Sequence, residues 1–232
     1  MYRLVTPLPK ADVLRNGAAV AGGVASRPAR SGVYRNGGKR LLDILLVLAA
    51  LPFLLPLALL VAAAVMTDGG SPFYTQKRLG RGGTVFRLYK FRSMRADADR
   101  QLQLYLQNNP AAAKEWTEKQ KLQNDPRITP VGRFIRKSSL DELPQLWNVL
   151  IGDMSLVGPR PMMVDQRRFY PGDEYEQMRP GLTGLWQVSE RNGTTFSARA
   201  TYDSAYFAGQ SLSLDLSTML RTVGVVLRGT GC

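Results

Sequence analysis

Residues 44–66 read ILLVLAALPFLLPLALLVAAAVM, a stretch with no charged side chain. A helix needs roughly 20 apolar residues to cross a hydrocarbon core, so this one is long enough to enter lipid. It lies far from the first residue and runs into Thr67-Asp68-Gly69-Gly70, which does not resemble a signal-peptide cleavage site. Arg27, Arg30, Arg35, Lys39 and Arg40 precede it, while Lys77, Arg78, Arg81, Arg87, Lys90, Arg92 and Arg95 follow it. Both flanks therefore carry the positive charge of cytoplasmic segments. Pro52 and Pro56 each remove a backbone donor at mid-stretch and favour a bend. Either a kinked helix crosses the bilayer, or it enters, turns at Pro52 and Pro56 and leaves on the same side. The charge on both flanks favours re-entry.

This segment divides the chain. Residues 1–38, rich in Gly, Ala, Arg and Ser without sustained periodicity, read as a basic leader, residues 39–67 as the membrane helix, and residues 68–232 as a cytosolic domain. Within that domain, Thr84 to Phe91 alternates apolar and polar residues beside Gly80-Arg81-Gly82-Gly83, predicting a hairpin of short strands. Residues 95–123 predict two polar-faced helices broken at Asn109-Pro110. Further helices are predicted over 139–151, 162–170, 195–209 and 213–228, the last with the apolar spacing of a buried or membrane-lying helix. The expected class is α+β, mainly helical, with a short β-hairpin and interfacial amphipathic helices.

The composition narrows the chemistry. The 232 residues include 31 Lys and Arg against 18 Asp and Glu, a net charge of +13 that favours nucleic acid, anionic lipid or a phosphorylated substrate. The absence of histidine excludes a histidine base and a Ser-His-Asp triad. The one cysteine, Cys232, excludes an intrachain disulfide framework and a cysteine zinc site. No nucleic-acid-binding motif is present, so nucleic acid is not an expected partner.

The densest tract runs from Asn124 to Pro161. Helical spacing puts Arg133 and Arg136 on one face, where guanidiniums suit phosphate oxygens; a solvated basic helix has the same pattern. In Ser138-Ser139-Leu140-Asp141-Glu142, a serine can cap a helix that the two acids begin. The chemical alternative gives the acids separate work: one carboxylate attacks phosphorus while the other binds Mg²⁺, for which carboxylates are suitable hard ligands. Arg160, held between Pro159 and Pro161, can present its guanidinium to an anion from a rigid turn. Arg179-Pro180-Gly181 forms a second such turn, predicted to lead into a strand, and Asp203 is a further acid suited to burial.

Lys39-Arg40 with Asp43, Tyr89-Lys90-Phe91-Arg92-Ser93-Met94, Ser139 to Leu146, Asn148-Val149-Leu150, Gly152 to Ser155, Val157 to Pro161 and Arg179-Pro180-Gly181 together resemble the bacterial sugar transferase family. Its members are monotopic polyprenyl-phosphate phosphoglycosyl transferases, and the resemblance covers residues 39–228 in order. The short form is similar to the galactose-1-phosphate transferases of rhizobial exopolysaccharide synthesis.

The resemblance implies an enzyme at the cytoplasmic face of a bacterial inner membrane. Asp141 would match an aspartate that attacks a UDP-sugar and releases UMP, after which undecaprenyl phosphate takes the sugar phosphate. Glu142 would match the Mg²⁺ ligand, Arg136 a phosphate-binding arginine and Asp203 a further acid of the site. The break at Pro56 would match the family's re-entrant turn, although the usual serine there is Leu55 and Pro52 is extra. Galactose or glucose is the implied sugar. The expected partners are thus a UDP-sugar, undecaprenyl phosphate and membrane lipid; a homodimer is compatible, but no residue argues for it. The competing expectation is a non-catalytic membrane scaffold whose basic surface gathers anionic polymers or enzymes.

Overall fold

The computed structural model describes residues 32–95, 97–119, 122, 124–189 and 196–227. The apolar stretch forms one helix, α1 (Lys39–Met66), with Pro52 and Pro56 inside it. The two prolines leave the carbonyls of Leu48 and Pro52 without their usual helical donors. Asp43, Val47, Leu51, Ala58, Val61 and Val65 recur every three to seven residues and form the stripe that faces the protein.

Both ends of α1 are tied to the same body. At its start, Arg40 donates to the carbonyls of Val149 and Leu150, and Asp43 accepts from Ser155 Oγ at 2.7 Å and the Leu156 amide at 3.1 Å. At its far end, Arg92 donates to the Val65 carbonyl at 3.1 Å. Val47 packs with Phe86, Leu88, Val149 and Met154, while Val61 and Val65 pack with Phe91 and Ile135. The opposite face is bare: Phe53 is 80% exposed and Leu60 69%. Only 11% of the most apolar window is buried, whereas the core helix of a water-soluble domain would be mostly covered.

The predicted leader reaches too far. Residues 1–31 lie outside the described residues, but Tyr34–Gly38 form a π-helical turn ahead of α1. The Tyr34 hydroxyl donates to Asp215 at 2.5 Å, so the ordered body already includes this turn.

After α1 come β1 (Phe73–Leu79) and β2 (Val85–Phe91), paired antiparallel from Phe73 opposite Phe91 to Leu79 opposite Val85. This is the predicted hairpin. Phe86 and Leu88 point into the core, and the twofold period of a strand puts Lys90 on their face. Helices α2 (Ala98–Asn108) and α3 (Pro110–Lys119) break at the predicted Asn109-Pro110.

Helix α4 (Pro130–Lys137) starts at Thr129, whose hydroxyl caps the Gly132 amide at 2.9 Å, with proline at the first position. Gly132 lies against the Ser93 backbone so closely that a Cβ would come within 2.0 Å of the Ser93 oxygen. That contact and the buried Ile135 fix the rotation of α4.

Before α4, Arg127 folds back on Asp125 in a buried forked pair, Nε to Oδ1 at 2.8 Å and the terminal nitrogen to Oδ2 at 2.6 Å. Arg127 also lies over Trp116, so it serves the fold rather than a ligand. Burial pushes the Asp125 carboxyl up, but the Arg127 hydrogen bonds and charge outweigh this and hold it below its ordinary value. The pair's stabilisation is thus present at neutral pH and fades as acid protonates Asp125. Asp125→Ala leaves the guanidinium buried and unpaired, at a cost of about 3 kcal/mol, or about 6–12 °C in unfolding midpoint. Thermal unfolding at neutral pH checks this.

The second half corrects several sequence expectations. Ser139 adopts the left-handed conformation (φ 57°) and makes no side-chain cap; residues Leu140–Glu142 form a single 3₁₀ turn, and helix α5 (Gln145–Ile151) begins only after Pro144. Strand β3 (Ser155–Val157) is followed by a 3₁₀ segment at Val164–Phe169 and α6 (Glu174–Gln177). The Arg179 turn leads directly into β4 (Gly181–Thr183), parallel to β3, and Leu185–Ser189 form helix α7. At Gly181 a Cβ would lie 2.1 Å from the Gly158 nitrogen, so glycine is required where these backbones approach. Helices α8 (Arg199–Gly209) and α9 (Leu212–Leu227) complete the order. One face of α9 packs through Leu214 and Met219, while Leu216, Leu220 and Val223 are exposed.

Candidate active site

Asp141 and Glu142 owe their place to the turn between α4 and α5. The left-handed Ser139 reverses the chain just past α4, and Leu140 and Leu143 anchor in the cluster of Val61, Val65, Phe91 and Ile135. The two acids between these leucines are thereby held against the end of β2. Lys90 Nζ stands 2.9 Å from Glu142 Oε1 and 3.5 Å from Asp141 Oδ2. Burial pushes the Asp141 carboxyl above its ordinary value; Lys90 opposes this, Glu142 adds to it, and Arg136 opposes it again. Asp141 is thus a desolvated carboxylate held beside one ammonium, while Glu142 is more open.

A cavity of about 130 Å³ opens beside this pair. Lys90, Glu142 and Gln145 contribute to its lining, as do Arg78, Arg160 and Arg199. Arg199 is sandwiched between Trp186 and Phe196, with its guanidinium carbon 4.1 and 4.9 Å from the ring centres. Burial, and then the charge of Arg160, lower its pKa to about 10. Arg78 is lowered by burial and by the same neighbour. The Nε groups of Arg78 and Arg199 are buried without a hydrogen-bond partner. Cations that crowd together with unsatisfied donors are poised for a polyanion, since each phosphate oxygen relieves both defects.

The sequence-derived residues fall in different places. Glu142 and Arg160 line the cavity, and Asp141 stands beside Glu142 on Lys90. Arg136 is half-buried, donates from Nε to Ser93 Oγ at 2.8 Å and acts on Asp141 through its charge. Arg133, expected beside Arg136, is exposed, because the Gly132 and Ile135 contacts turn its side of α4 outward. Asp203 does not line the cavity: it is 6% exposed, accepts from the Tyr170 hydroxyl at 2.5 Å, and is pushed up to about 6 by burial, opposed by that bond and by Arg199. It lies behind the guanidinium as a counter-charge. Pro52 and Pro56 belong to α1 and contribute nothing to this lining.

Sequence reasoning did not assign Lys90, Arg78, Gln145 or Arg199 to the site. The hairpin carried a signal for two of them. Arg78 pairs opposite Phe86 and Lys90 follows Leu88 by two, so both cations fall on the strand face that carries Phe86 and Leu88 into the core. Arg199 gave no such signal.

Among the described residues, no cluster of three or more acidic, histidine or cysteine side chains could enclose a metal. Asp141 and Glu142 nevertheless fit Mg²⁺, which is commonly held by one or two carboxylates together with waters and substrate phosphates. The Lys90 ammonium between them marks a position where positive charge is already favoured.

A family model described as bacterial sugar transferase matches residues 34–229. Exopolysaccharide production protein ExoY of Sinorhizobium fredii is 45% identical over 210 residues, covering 88% of this chain and 93% of that protein. The UDP-galactose-lipid carrier transferase of Erwinia amylovora is 47% identical, and the undecaprenyl-phosphate galactose phosphotransferase of Salmonella typhimurium 48%, each over 195 residues. Those matches cover 83% of this chain but only 41% of either relative. The chain therefore spans about two-fifths of these two longer proteins and nearly the whole of the shorter one.

Proposed function

Because this chain belongs to the bacterial sugar transferase family, we propose that it moves a hexose 1-phosphate from a UDP-sugar to undecaprenyl phosphate. The observation that carries this reading is the acid pair beside a cavity that also gathers Arg78, Arg160 and Arg199. A UDP-sugar presents a diphosphate to those guanidiniums while its sugar-bearing phosphorus meets Asp141. The Asp141 carboxylate attacks that phosphorus and the bond to the bridging oxygen breaks, releasing UMP and leaving the sugar phosphate on the aspartate. A phosphate oxygen of undecaprenyl phosphate then attacks the same phosphorus and frees the carboxylate. Lys90 holds Asp141 ionised in its buried setting, and the arginines offset charge on the leaving phosphate. Mg²⁺, held by Glu142 with Asp141, would supply further charge neutralisation at the phosphates.

The attachment of α1 supports the membrane arrangement of this reading. A bilayer-crossing helix would carry one end away from the cytosolic domain, yet Arg40 and Asp43 at one end and Val65 at the other bind a single body. This supports a helix that enters and leaves on the cytoplasmic face, with the exposed Phe53 and Leu60 in lipid. Exposed Leu216, Leu220 and Val223 on α9 suit the interface. The active site then lies at the depth of the acceptor's phosphate.

Detergent-solubilised protein, given UDP-galactose, undecaprenyl phosphate and Mg²⁺, is expected to release UMP, with UDP-glucose as the comparison donor. Galactose is the sugar in the names of the Erwinia and Salmonella relatives. Folded protein that releases no UMP from any UDP-sugar would overturn the transferase reading and favour the scaffold.

A further inference from the structure

We propose a second phosphate-binding site, at the amino-terminal end of α1, in the cavity among Arg35, Lys39, Arg40, Arg81 and Arg179. This cavity, about 550 Å³, is larger than the one beside Asp141 and shares no lining residue with it. The inference therefore extends beyond the transferase reading and does not depend on turnover.

The charge balance makes the argument. Lys39 is neutralised by Asp215 at 2.5 Å. The carboxylate in the lining, Asp43, is held by Ser155 and the Leu156 amide and offsets at most one of the four guanidiniums that remain, so positive charge is in excess. Arg40 and Arg179 donate to the carbonyls of Val149, Leu150 and Gly152, which explains their positions but leaves their charge uncompensated, since a carbonyl is neutral. Arg35 lies over the Phe207 ring, its guanidinium carbon 4.2 Å from the centre. The Arg81 side chain has no partner among the described residues, and nothing in the fold accounts for its presence. Burial, followed by the charges of Arg81 and Arg40, lowers Arg179 below its ordinary value, a sign of repulsion that an anion would relieve.

The lining also identifies the ligand chemistry. It contains no aromatic ring, the usual stacking platform of a nucleobase. Several planar forks around one space match the oxygens of a phosphate group. A lipid headgroup and free phosphate offer the same oxygens. The cavity's place where the apolar helix begins favours the lipid.

The test uses full-length protein in neutral detergent and reads the unfolding midpoint against short-chain phosphatidylglycerol and, separately, inorganic phosphate. Wild type is expected to show a saturable rise with the lipid, and Arg35→Gln/Arg81→Gln to need at least about ten-fold more for half the rise. Arg199→Ala, which alters only the other cavity, is expected to leave this concentration unchanged. A rise with inorganic phosphate alone, lost in the double variant, would support the site and assign it to free phosphate. Responses equal in wild type and the double variant, or absent with both probes, would overturn the proposal. If the double variant does not fold, Arg81→Gln alone carries the test, with about a three-fold shift expected from one exposed charge. UMP release is measured separately, so failure of either reading leaves the other standing.

Discussion

Asp141→Asn is expected to abolish UMP release, by more than about 10³-fold, without weakening the fold. The amide keeps the shape of the carboxylate but cannot attack phosphorus. Its effect on stability follows from the raised Asp141 pKa, caused first by burial. A carboxyl whose folded pKa exceeds its unfolded value binds its proton more tightly when folded. Its contribution to stability is complete below the unfolded pKa and declines as pH rises through the folded one. At neutral pH the ionised Asp141 therefore opposes folding, and asparagine removes that opposition while Lys90 keeps Glu142 at 2.9 Å. The unfolding midpoint should rise as turnover vanishes. UMP release and thermal unfolding on one preparation decide the matter: residual turnover with a lowered midpoint would make Asp141 a structural residue.

Arg199→Ala is expected to lower kcat/KM for the UDP-sugar by about 10²–10³-fold, the scale for removing a preorganised donor from a developing anion. Lysine should not rescue it. The slot between Trp186 and Phe196 accepts a flat guanidinium, and an ammonium can neither stack there nor present the same fork. Inhibition by UMP distinguishes a diphosphate contact from a packing role. It should weaken in both Arg199→Ala and Arg199→Lys, whereas a purely structural arginine would leave it unchanged in the lysine variant.

Local chemistry was readable from the chain. Alternation from Thr84 to Phe91 predicted the hairpin, and Asn109-Pro110 predicted the division between α2 and α3. The acid pair was visible because both members are adjacent. What escaped depends on contacts between distant segments. Helical spacing could place Arg133 and Arg136 together, but only the approach of Gly132 to Ser93 decides which faces inward. A serine at 138 or 139 followed by Asp141 and Glu142 gave the signature of a helix start, yet the packing of Leu140 and Leu143 against α1 favours a left-handed residue and a 3₁₀ turn. Arg78 and Arg199 belong to different halves of the chain and meet only after β1 and α8 are assembled. Asp203 was recognised as an acid suited to burial, but its hydrogen bond to Tyr170 depends on tertiary placement.

The attachment of α1 at both ends bears on how the molecule is made and unmade. Val47 completes one core cluster and Val61 and Val65 another, so neither cluster closes until the apolar helix is present. The helix is therefore part of the interior of the domain rather than a tether fastened to a finished body. During synthesis it emerges before Phe86, Phe91, Ile135 and Val149, so its inward stripe has no partners until they arrive. A truncated domain without residues 39–66 would lack part of its own interior.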